Sequence, residues 1–184
     1  MSYTAVDCHP LHSVCVFINL IGAHLYSREF SSSTLTKYLL PDNVKIIYKN
    51  ALDEHVREDA LPIVAYQSAG LRFVPYHAAH SFGSATNSTA AELSGAIVFT
   101  ISTTNRTLTE ELAFELGAFA ISTHKDMQEL NMGIQSVDVS PVARSDAGYY
   151  EATVQVAVSL GKPMWNREHT SSILREIRVQ VSSM

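Results

Sequence analysis

Cysteine is scarce in this chain. Cys8 and Cys15 stand seven positions apart near the N-terminus. They form neither a C-x-x-C pair nor a disulfide framework, so the sequence predicts two reduced thiols in a reducing compartment, with Cys15 an inert core thiol inside an apolar run. Charge is sparse as well. Asp, Glu, Lys and Arg make up 17% of 184 residues, which leaves neutral surface that partners can bury. The net charge of −5 argues against a nucleic-acid-binding surface as the main function. Long apolar runs are missing too. The most apolar early run, residues 14–21, is too short for a bilayer, which takes about 20 residues. Asp7, His9 and His12 precede it where a signal peptide would carry basic residues, so neither a signal peptide nor a membrane partner is expected. Without a secretion signal, the sequons at Asn87 and Asn105 read as chance matches in polar loops.

Reactive signatures are equally thin. There is no G-x-S-x-G elbow, no G-x-G-x-x-G and no phosphate-binding G-x-x-x-x-G-K-[ST]. Eight histidines invite a search for metal ligands. Asp7, Cys8, His9 and His12 cluster in sequence, and His77 and His80 form an H-x-x-H pair. Neither group supplies the four ligands of a zinc site. The carboxylate pairs Asp53-Glu54 and Glu110-Glu111 are adjacent, and adjacent helical residues diverge, so neither forms an acid–base pair. No cofactor is implied and the chain reads as non-enzymatic. A small enzyme or metal-binding domain using His77 and His80 is the competing class.

What is present is periodicity. Residues 94–122 read as a strand, a polar turn and a helix. Ile97, Phe99 and Ile101 alternate with Val98, Thr100 and Ser102. Thr107 and Glu110 match a capping box at the start of the helix. Leu108, Leu112, Leu116 and Phe119 then follow at helical spacing, with Gly117 as a packing position. Upstream, Leu11, Val14, Cys15, Ile18, Gly22 and Leu25 define one face of a helix over 10–27, widened by Phe17 and Ile21. A shorter helix is expected after residues 31–34, then a strand over 44–49 and one or two helical turns in 51–60. Short strands at 63–67 and 71–74 suggest a hairpin around Ser68-Ala69-Gly70. Residues 76–91 show no period and read as an extended loop or arm. Downstream, 126–131 reads as a connection and 134–139 as a strand with Val137 and Val139 on one side. Arg144 to Gly148 reads as a turn. Residues 149–160 form the clearest strand, with Tyr150, Ala152, Val154, Val156, Val158 and Leu160 inward. A last strand is expected over 173–181.

This order predicts a single α+β domain over 1–184: N-terminal helices in 10–40, the arm at 76–91, and a sheet-and-helix core in 94–181. The sheet is mostly antiparallel, with helices packed on one face. Aromatic and basic residues in peripheral segments supply candidate interface positions: Phe73, Tyr76, Phe82, Arg144, Lys162, Trp165 and Arg167. Trp165 leads them because it follows Gly161 and Pro163, outside expected regular structure.

Three segments carry a resemblance: GAIVFTISTTNRTLTEELAFELGAFA, QSVDVSPV and YYEATVQVAVSLGKPMW. Over residues 94–165 the chain resembles the tail terminator, tail completion and neck proteins of tailed bacteriophages. The resemblance implies a structural virion protein, made in the host cytoplasm. It would assemble with itself as a hexameric ring that caps the tail tube and joins it to the neck, alongside other neck and tail-tube proteins. DNA would pass the lumen without specific binding, which suits the negative charge. Another head–tail connector or a tail-tube protein is the alternative within that class.

Overall fold

A computed structural model describes residues 10–39, 46–51, 61–75, 88–160 and 164–166. The helix α1 spans Pro10–Ser27 and α2 spans Ser33–Tyr38. The strands β1 (Ile47–Asn50), β2 (Ile63–Pro75) and β3 (Ser88–Thr103) follow. Next come α3 (Arg106–Ser122), α4 (His124–Glu129), β4 (Met132–Val139), β5 (Ala143–Arg144), β6 (Tyr150–Leu160) and β7 (Met164–Asn166). The sheet order is β1-β2-β3-β6-β4, with β5 also on β6 and β7 on β3. Every pair is antiparallel except β1 with β2. The architecture is α+β, as the sequence predicts.

Register explains the core. Tyr66, Phe99, Val154 and Val139 form one row across the strands, and Ser68, Ile97, Val156 and Val137 form the next. Cross-strand partners share a face, and this face meets the helices. Phe17 of α1 packs edge-on against Phe99 at 6.2 Å between ring centroids. The other face carries Gln67, Val98, Gln155 and Asp138 in one row, and Ala65, Thr100 and Thr153 in another. The alternation of β6 is therefore the division between core and outer face.

Several expectations are corrected. The buried stripe of α1 is Val14, Phe17, Ile21 and Leu25, while Cys15 is exposed. The residues Phe17 and Ile21, expected only to widen the face, lie at its centre. Their large side chains turn the helix so that Cys15 points to solvent. The side chain of Leu11 lies outside the described residues. The hairpin expected at Ser68-Ala69-Gly70 is a bulge in one continuous strand, β2. Gly70 takes φ +44°, a left-handed value that glycine adopts freely, and the register shifts between Ala69 and Arg72. Gly95 faces this bulge: a Cβ there would lie 2.9 Å from the Gly70 carbonyl oxygen. The strand expected from residue 44 is described only over Ile47–Asn50, and the proposed turns in 52–60 lie outside the described residues.

The helix expected to start with a Thr107–Glu110 capping box is capped differently. Asn105 is the cap, and its side chain accepts from the backbone N–H groups of Thr107 and Leu108. Thr107 is already inside the helix, and Glu110 accepts from Arg106 Nε at 3.0 Å. The hydroxyl of Thr103 closes the turn by donating to the Asn105 carbonyl and accepting from the Asn105 N–H. An Asx cap one residue before the helix satisfies two orphan donors at once, which a later Thr cannot do. Substituting Asn105 with alanine is expected to cost about 1 kcal/mol of stability, read by urea unfolding. An unchanged midpoint and slope would contradict the assignment.

The connection expected at 126–131 is the helix α4. Thr123 stays in the right-handed helical region (φ −80°, ψ 0°), so the chain runs on into a new turn, anchored by buried Met127. Asn131, at φ +59°, ends it. Residues 88–91, expected in the arm, are strand: β3 begins at Ser88. Trp165 is also in a strand, β7, opposite Thr89. The strand expected at 173–181 lies outside the described residues.

Two helical glycines give contrasting expectations. A Cβ on Gly22 would lie 2.9 Å from the Tyr48 ring, which is fixed by its O–H donating to the Ile18 carbonyl at 2.7 Å. A Cβ on Gly117 would lie 3.2 Å from Cγ2 of Val139, a half-exposed side chain that can give way. Alanine gains about 1 kcal/mol over glycine in a helix, while overpacking a fixed neighbour costs about 1–3 kcal/mol. Thermal unfolding should therefore show Gly22→Ala destabilised by about 1 kcal/mol, and Gly117→Ala unchanged or slightly stabilised. The opposite order would contradict this packing.

Candidate functional site

The sequence-derived interface residues fall into two groups. Phe73 lies in β2 opposite Leu93, and Trp165 lies in β7 opposite Thr89. Four residues of β3 separate these partners, about 13 Å along an antiparallel strand. The backbone thus brings Phe73 and Trp165 to the same end of the sheet, on two strands that each pair with β3. Arg144 is exposed in β5 and pairs with Tyr150, which pairs with Thr103 at the far end of β3. Ten residues separate Thr103 from Leu93 on β3, about 33 Å, so Arg144 does not join the other two. Tyr76, Phe82, Lys162 and Arg167 lie outside the described residues, as do His77 and His80.

At the Phe73–Trp165 end the sheet narrows. The strand β6 accompanies β3 only as far as the Leu93–Leu160 pair. Beyond it, β2 continues to its Pro75–Ala91 pair, and β7 pairs with β3 over Ser88 to Ala90. Among the described residues the result is a narrow ribbon that runs past the end of β6. Ribbons of this width are marginally stable in water without further packing.

A second feature escaped sequence reasoning. Glu115 lies on the buried stripe of α3, and its side chain is 6% exposed. It accepts from the Ser31 N–H at 3.1 and 3.2 Å and from the Ser31 hydroxyl, and its Oε1 lies 3.1 Å from His24 Nε2. Burial alone would raise this carboxyl. The hydrogen bonds from Ser31, and then His24, outweigh burial and hold it below the ordinary glutamate value. The His24 ring stacks on Phe119 at 3.9 Å and 8°, and meets Phe30 edge-on at 5.8 Å. The clasp ties the end of α1, the link to α2, and α3.

The order of this cluster decides its chemistry. The Ser31 hydroxyl donates to Glu115 and not to His24, so no chain runs from hydroxyl through imidazole to carboxylate. A nucleophile–base relay needs the imidazole in the middle. The cluster is built as a structural clasp. The signal that could have found it is a glutamate three residues after Leu112 on an otherwise apolar stripe. Among the described residues, no group of three or more His, Cys, Asp or Glu side chains could hold a metal ion. Among them, too, no helix is long and apolar enough to cross a membrane.

The third feature is an apolar cleft of about 430 Å³ at the β1 edge, lined by Leu25, Tyr26, Arg28, Ile46, Ile47 and Tyr48. Burial, and then the neighbouring Tyr66 and Tyr26, push the Tyr48 phenol well above its ordinary value, so it remains a protonated donor to Ile18.

Together these features define an α+β domain with a helix-covered sheet and, among the described residues, a ribbon of strands beyond the end of β6. No protein-family model matches the chain, and no curated protein matches it.

Proposed function

We propose that this chain is a structural, non-enzymatic subunit of a tailed-bacteriophage virion, a tail terminator or neck protein that assembles into a ring at the head–tail junction. The observation that carries the reading is the ribbon of β2, β3 and β7 running past the end of β6. Such a ribbon gains stability by packing against a neighbouring subunit, and a ring supplies one for every copy. The segments that carry the phage resemblance support it further. They form β3 with α3, then β4, then β6, and these pack as contiguous layers of one core. The outer sheet face, rich in Ala, Thr, Gln and Val, suits contact with a partner or a solvated channel. Hexameric symmetry, a seat between tail tube and neck, and a lumen that passes DNA without binding it complete the proposal. Mass measurement of the purified protein with tail tubes tests it. Discrete ring-sized oligomers bound at tube ends are expected; a strict monomer that ignores the tubes would refute it.

A further inference from the structure

We draw no further inference here: the strongest candidate, the apolar cleft at the β1 edge lined by Leu25, Tyr26, Ile46, Ile47 and Tyr48, carries nothing because the structure does not show what covers it.

Discussion

Glu115→Ala is expected to cost about 2–4 kcal/mol of folding stability. Removing a buried acceptor strands the donors it served, and each buried group left unpaired costs about 1–3 kcal/mol. His24 is the group most exposed to that cost, because its side chain is only 10% exposed and sits between Phe119 and Phe30. Ser31 is exposed and can turn to water, which keeps the loss below that of a fully enclosed network. Glu115→Gln keeps one acceptor oxygen and the volume, so it should lose less.

The pH dependence of this pair has a definite sign. The folded-state carboxyl lies below its unfolded value. Its contribution is therefore fully present above the unfolded glutamate value, about 4.3, and is lost as pH falls through the folded value. Urea unfolding of wild type and Glu115→Gln should show a gap at neutral pH that narrows with acid. A constant gap would show that the charged form contributes nothing.

Shortening the ribbon is expected to abolish assembly while sparing the fold. A variant that joins Val74 to Leu93 through a tight turn deletes the part of β3 beyond β6, and leaves the Leu93–Thr103 ladder with β6 intact. The core residues Ile97, Phe99, Ile101, Val154, Val156 and Val158 all lie in what remains. Circular dichroism and thermal melting should resemble wild type, and sizing should show monomers. An unfolded variant would place the ribbon in the core. A folded variant that still assembles would remove the ribbon from the interface.

Where the sequence was readable, side-chain periodicity was the reason. The alternation of Ala152, Val154, Val156 and Val158 can be satisfied only by a strand with one buried face, and α1 begins at Pro10 as expected. The misreadings came from residues that serve two local structures. Ser68-Ala69-Gly70 suits a hairpin turn and a bulge equally, and pairing with β3 on both sides selects the bulge. Thr107 and Glu110 match a capping box, but Asn105 reaches the same N–H groups first. Glu115 was hidden because a glutamate on a helix usually faces water, and its partners Ser31 and His24 are more than 80 residues away in sequence. The exposure of Phe114 was hidden for a related reason: it depends on where α3 sits over β4 and β6, which no local pattern states.

We propose that copies of this chain close into a ring at the head–tail junction. Electron-microscopic imaging of the native assembly on isolated tails tests it most directly. A closed ring at the tube end is expected, hexameric about an open channel, with the β2–β3–β7 ribbon of each subunit against its neighbour. Solitary copies, or a closed assembly with no channel and no place on the tail, would contradict it.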